Sequence, residues 1–216
     1  MNEIAKYLDP LPLIAVLRGI TPEEIPAVGD ALVGNGFRVL EVPLNSPRPH
    51  DSIRALARMC GATCLVGAGT VLRVADVARV REAGGRVIVM PHADAAVIRE
   101  AKAQGLLCVP GVATPTEAFA ALEAGADALK MFPAEALPPA ALRAWRAVLP
   151  QDALVFAVGG MRPDNLEPYW VAGASGFGTG SNLYKPDVPV GTVREVAAAF
   201  AAAVRKLPGR QTIRNA

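Results

Sequence analysis

The 216-residue sequence is poor in aromatics, at 5%, and holds only three cysteines and two histidines. Cys60, Cys64 and Cys108 are odd in number and contain no C-x-x-C pair, a pattern of reduced thiols rather than of a disulfide framework. His50 and His92 are too few for a histidine-based centre, so neither a metal nor a cofactor is expected. No apolar run approaches the roughly 18 residues needed to span a bilayer. The start, Met1 to Lys6, lacks the basic region and apolar core of a signal peptide, and a cytoplasmic location is expected. Twenty-two basic against 20 acidic residues leave no field that would select nucleic acid.

What is present is a well-packed, enzyme-like composition, 52% hydrophobic and 19% charged. Short β-rich runs alternate with alanine-rich amphipathic segments. The first four runs are Leu13–Leu17, Phe37–Val42, Cys64–Ala68 and Arg86–Met90. Four more follow at Leu106–Val109, Ala128–Phe132, Leu154–Val158 and Ser175–Thr179. Helix starts are marked at Thr21-Pro22, Thr114-Pro115 and Arg162-Pro163. Gly36, Gly61, Gly84, Gly105, Gly125 and Gly173 each stand just before a strand, where glycine ends a helix in a left-handed conformation. Between Gly125 and Gly173 two units fit, with Leu149-Pro150 at the missing stop. Eight strands, seven intervening helices and a last helix from about Gly191 to Lys206 predict a (β/α)8 TIM barrel, an α/β fold. A doubly wound open sheet is the runner-up, because periodicity does not establish closure. The domain spans residues 1–207, with a short helix over the lower barrel end within residues 1–10 and a frayed tail at 208–216.

Lys130 is the most informative residue. In the run Asp127 to Pro133, strand alternation puts Ala128, Lys130 and Phe132 on one face and Leu129 and Met131 on the other. A buried ammonium is costly, and bringing it near neutrality at pH 7 takes on the order of 4 kcal/mol. Schiff-base chemistry uses such a neutral amine. A structural lysine paired with a buried carboxylate fits equally well, and the run alone does not decide.

Barrel sites lie at the C-terminal strand ends, which holds the polar candidates to a short set. Alternation puts Ile14, Val16 and Arg18 on one face, and Val39 with Glu41 likewise. If that face is the lumen, Arg18, Glu41 and Lys130 share a pocket, and three charges are a poor choice for packing alone. Glu41 is either a partner of Lys130 or a proton-transfer group. Gly159-Gly160 and Gly180-Ser181 follow the seventh and eighth runs, where barrels bind phosphate, although glycines there also make plain turns. Thr70 closes a weak Gly67-Ala68-Gly69-Thr70 turn. Asn45 reads equally as a turn residue, and His92 as a loop or capping residue.

Together these residues resemble the bacterial 2-keto-3-deoxy-6-phosphogluconate and 6-phosphogalactonate aldolases. The matching stretches are Ile14–Gly19, Leu40–Pro47, Val66–Val71, Cys108–Gly111, Leu129–Pro133 and Val158–Gly160. The similarity runs from about Leu11 to Phe200. It implies a metal-free class I lyase that cleaves a phosphorylated keto-deoxy sugar acid to pyruvate and D-glyceraldehyde 3-phosphate. By the same resemblance Lys130 is the Schiff-base lysine and Glu41 the glutamate that moves protons through a bound water. Arg18 and Thr70 contact the pyruvate carboxylate, and Gly159, Gly160, Gly180 and Ser181 hold phosphate. Asn45, Pro91, Phe132 and Val158 fall among the substrate-contacting residues. Gluconate-type enzymes usually carry arginine where this chain has Asn45 and threonine where it has Val158. Both departures look like the phosphogalactonate branch, whose members are often homotrimers. The alternatives are a gluconate or dual-specificity aldolase, an acid–base isomerase or epimerase, and a non-catalytic sugar-phosphate-binding barrel.

Overall fold

Nine short strands, all paired in parallel, build the sheet in the computed structural model, which describes residues 3–209. They are β1 (Leu13–Val16), β2 (Val39–Pro43), β3 (Leu65–Gly69), β4 (Val87–Val89), β5 (Leu107–Val109), β6 (Gly111–Val112), β7 (Leu129–Met131), β8 (Val155–Val158) and β9 (Gly176–Thr179). Between and after them run α1 (Ile25–Gly34), α2 (Pro49–Cys60), α3 (Val74–Glu82), α4 (Ala95–Ala103), α5 (Pro115–Glu123), α6 (Pro139–Arg146), α7 (Leu166–Val171) and α8 (Val190–Arg205).

The strand order is β5-β4-β3-β2-β1-β9-β8-β7-β6. Its two ends, β5 and β6, are consecutive in the chain across Pro110, so the ring closes through the backbone itself. The predicted fifth strand is thus a single strand broken by a proline that has no N–H to give to the ladder. Bonding runs on through the break: Asp127 N donates to Cys108 O at 3.0 Å, Lys130 N to Pro110 O at 2.8 Å and Phe132 N to Val112 O at 3.1 Å. An eight-unit barrel holds, and an open doubly wound sheet does not.

Local chemistry explains the helix boundaries. Thr114 caps α5 through a reciprocal capping box with Glu117, satisfying two N–H groups that the helix leaves unpaired. Five of the six predicted glycine stops have positive φ. Gly61 does not: it stays right-handed at φ −60° and bonds to Ala57 O. Glycine is still required there, because a Cβ would stand 2.4 Å from that carbonyl oxygen.

Alternate strand residues divide into two cores. One, between sheet and helices, includes Leu13, Leu40, Val66, Leu129 and Phe177. The other fills the barrel lumen with Ile14, Val39, Leu65, Val87, Ala128 and Phe156. A fully buried residue such as Phe156 contributes about 1.5–3 kcal/mol. A short 3-10 helix at Ile4–Tyr7 closes the lower end, with Ile4, Ala5 and Leu8 packed into the lumen core. Pro208 and Gly209 of the predicted tail form a turn, and the rest of it lies outside the described residues. No helix among the described residues is long and apolar enough to cross a membrane.

Candidate active site

The lumen core is apolar at the bottom and charged at the top, and β2 and β7 supply the change. Lys130 is the middle residue of β7, paired to Gly111 on one side and Phe156 on the other. It points into the lumen with Ala128 and Phe132, as alternation predicts, and is only 6% exposed. Its Nζ lies 4.4 Å from the centroid of the Phe132 ring. Burial lowers the lysine pKa, and the positive charge of Arg18 pushes the same way against the opposing Glu41 carboxylate.

Glu41 sits in β2 opposite Val16 of β1 and Gly67 of β3, and is 1% exposed. Among the described residues, its Oε2 has no hydrogen-bond partner. Burial pushes its carboxyl up to about 7, against the pull of Lys130 and then Arg18. Both shifts run towards neutral groups. Those are the forms in which an amine attacks a carbonyl and a carboxyl gives a proton.

Arg18 lies two residues past β1, where the chain leaves the barrel. Its Nη1 donates to Asn45 Oδ1 at 2.6 Å and its Nη2 to Thr70 Oγ1 at 3.3 Å. Those partners come from the loops after β2 and β3, so three successive strand ends fix one guanidinium. Thr70 stands at φ +53°, a strained conformation for a β-branched residue. The result is a forked cation at the mouth, suited to a carboxylate.

A cavity of about 410 Å³ gathers eight of the twelve predicted site residues. Arg18, Lys130, Phe132 and Val158 line it together with Gly159, Gly160, Gly180 and Ser181. Gly159 and Gly160 take φ of +110° and +67°, which glycine adopts without strain. Asn165 Nδ2 donates to Gly160 O at 3.0 Å, and Asn182 Nδ2 to Met161 O at 3.0 Å, tying together the loops after β8 and β9. Among the described residues, the N–H groups of Gly160 and Ser181 have no protein acceptor. Free backbone donors beside glycine form a concavity fit for an oxyanion.

Glu41, Thr70 and Asn45 reach this cavity through their charge or hydrogen bonds to Lys130 and Arg18. Pro91 stands apart, just past β4, with its carbonyl backed against Gly111. Sequence reading missed Glu135, Met161, Asn182, Tyr184, Lys185 and Pro186, which also line the cavity. All six fall within seven residues past the end of a strand, the signal that could have found them. Tyr184 is held by a 2.8 Å bond from its hydroxyl to Glu24 Oε1, and burial raises its phenol pKa.

The family model described as KDPG and KHG aldolase matches residues 4–198. The chain is 50% identical over 200 residues to a probable 2-dehydro-3-deoxy-6-phosphogalactonate aldolase of Rhizobium meliloti (strain 1021), covering 93% of this chain and 94% of that one. It is 48% identical over 196 residues to the 2-dehydro-3-deoxy-6-phosphogalactonate aldolase of Escherichia coli (strain K12), covering 91% and 96%. A solved structure named "Native KDPGal structure" superimposes with a TM-score of 0.89 at 48% identity, over 91% of this chain and 95% of the other. The chain belongs to the KDPG and KHG aldolase family.

Proposed function

We propose that the chain is a class I aldolase that cleaves 2-dehydro-3-deoxy-6-phospho-D-galactonate to pyruvate and D-glyceraldehyde 3-phosphate. The observation that carries this reading is the buried Lys130 amine, held towards neutrality in a cavity walled by anion-type loops. Its Nζ attacks the C2 ketone and water leaves, giving an iminium that draws electrons from the C3–C4 bond. The Glu41 carboxylate takes the C4 hydroxyl proton, C3–C4 breaks, and the aldehyde departs. The same carboxyl then returns a proton to C3 of the enamine, and water releases pyruvate from Lys130. Arg18, positioned by Asn45 and Thr70, holds the pyruvate carboxylate. Gly159, Gly160, Gly180 and Ser181 take the distal phosphate, while Phe132 supports the cationic iminium through its ring face. Pro91 contacts the substrate only if the ligand reaches past β4.

Preference for the galactonate epimer rests on Asn45 and Val158, and on the names of the two relatives. Without a hydroxyl at position 158 the site lacks one hydrogen bond beside C4, which changes the balance between epimers. We also infer a homotrimer, supported by the resemblance, and a cytoplasmic location, supported by the three free cysteines. Light scattering at three chain masses supports the trimer, and a monomer mass rejects it.

The deciding experiment adds pyruvate and borohydride to the purified protein and locates the mass gain. Labelling confined to Lys130 is expected. An unlabelled protein that still interconverts sugar phosphates would favour an acid–base isomerase. Turnover of the two C4 epimers then tests the preference, and a strong gluconate bias would overturn it.

A further inference from the structure

Why β3 ends in glycine is a question the turn chemistry leaves open, because Gly69 does not need a left-handed backbone. Pro43 stands directly opposite it on β2, and the side chain that explains it reaches over diagonally from Glu41, two residues back on that strand. A Cβ built on Gly69 would stand 1.8 Å from Glu41 Oε2, 2.3 Å from Cδ and 2.5 Å from Oε1. All three nearest atoms belong to one carboxyl group. Gly67, two residues earlier on the same face, differs: its Cβ would strike the main-chain oxygen of Val87 at 1.9 Å. Glycine at position 67 therefore serves strand packing, whereas at position 69 it serves a side chain.

We propose that Gly69 is a positioning residue whose missing Cβ is the berth for the Glu41 carboxyl. This inference rests on the reading of Glu41 as the proton-transfer group. Glu41 has several rotatable bonds, and among the described residues nothing hydrogen-bonds to its Oε2, so no donor fixes that oxygen. Shape does so instead. The carboxyl occupies the space a Gly69 Cβ would take, and the next residue, Thr70, receives Arg18. A methyl at position 69 leaves the fold room to stand, because the obstacle is the far end of a flexible chain. It evicts the carboxyl from its place above the strand, towards the mouth and water.

The test is a cycle of Gly69→Ala and Glu41→Asp, with wild-type trapping at Lys130 and loss of turnover in Glu41→Gln established first as separate checks on the underlying reading. Gly69→Ala is expected to keep borohydride trapping of pyruvate at Lys130 while kcat falls about 100-fold, and the acid limb of its kcat profile moves to lower pH as the carboxyl meets solvent. Aspartate is one methylene shorter and withdraws from the new methyl. The double variant should therefore exceed Gly69→Ala in kcat, although Glu41→Asp alone is impaired, a non-additivity that independent sites do not show. Additive losses, or a Gly69→Ala enzyme with wild-type kcat and pH profile, overturn the proposal. If Gly69→Ala does not fold, Glu41→Ala/Gly69→Ala must fold, since the obstructing carboxyl is gone. Failure of that double variant to fold also overturns it.

Discussion

Arg18 Nη1 donates to Asn45 Oδ1 across 2.6 Å, so a residue past β1 is held by one from the loop after β2. The contact fixes the guanidinium fork and uses Asn45, the position at which the resemblance implies arginine in gluconate-type enzymes. Two arginines could not make this bond, since neither accepts. Arg18→Ala should therefore raise the KM for pyruvate in the condensation direction by about tenfold or more, with kcat less affected. Asn45→Ala should do so more mildly, because Thr70 still holds Nη2. Steady-state kinetics separate the two, and an unchanged KM in Arg18→Ala would remove that residue from the pocket.

Lys130→Met keeps similar volume and removes the buried amine. Trapping of pyruvate and all cleavage should vanish, while the melting temperature stays level or rises. Mass spectrometry after borohydride and a thermal melt read both.

Glu41→Gln keeps the shape of the carboxyl but not its proton chemistry. Turnover should fall about 10²–10⁴-fold while the iminium still forms on Lys130. Equal turnover would strip Glu41 of its role.

The raised Glu41 carboxyl also has a sign that a stability measurement can read. Between its ordinary value of 4.5 and about 7 the folded state holds a proton that the unfolded state has lost. Stability from this group is full below 4.5 and drains away as pH rises through about 7, by about 3 kcal/mol. Glu41→Gln cannot titrate, so its stability relative to wild type should improve from pH 5 to pH 8 in denaturant melts. Wild-type turnover should run the other way, falling as pH drops through about 7, because the cleavage step needs the carboxylate.

Val158→Thr swaps a methyl for a hydroxyl at the end of β8, next to the paired glycines. The ratio of kcat/KM for the two C4 epimers should move towards the gluconate form by roughly 10–100-fold. No movement in that ratio would detach Val158 from epimer choice.

Much of this site was legible because strands obey a strict alternation. Counting by twos from Ile14 and Val39 places Glu41 in the lumen, and the same rule puts Lys130 and Phe132 there. The barrel rule then directs attention to strand ends, where Thr70 and the two glycine pairs lie. Glu135, Tyr184 and Lys185 escaped because loops carry no period, and the cavity collects them only once the chain has folded. The break in the fifth strand is marked in the sequence by Pro110, just past the Leu106–Val109 run. Proline signals a lost donor, and only the neighbouring strands tell whether the sheet resumes beyond it. Gly61 shows the converse: a helix stop in the right place, whose glycine answers to a close carbonyl rather than to backbone handedness.

The short helix at Ile4–Tyr7 has a role that its distance from the mouth conceals. Ile4 and Leu8 cork the far end of the cylinder, below the same lumen that holds the Lys130 amine. Shaving off this cork would let solvent climb the bore and undo the burial that lowers the lysine's pKa. Enzymatic damage would then come from the end of the molecule opposite the chemistry, through hydration alone.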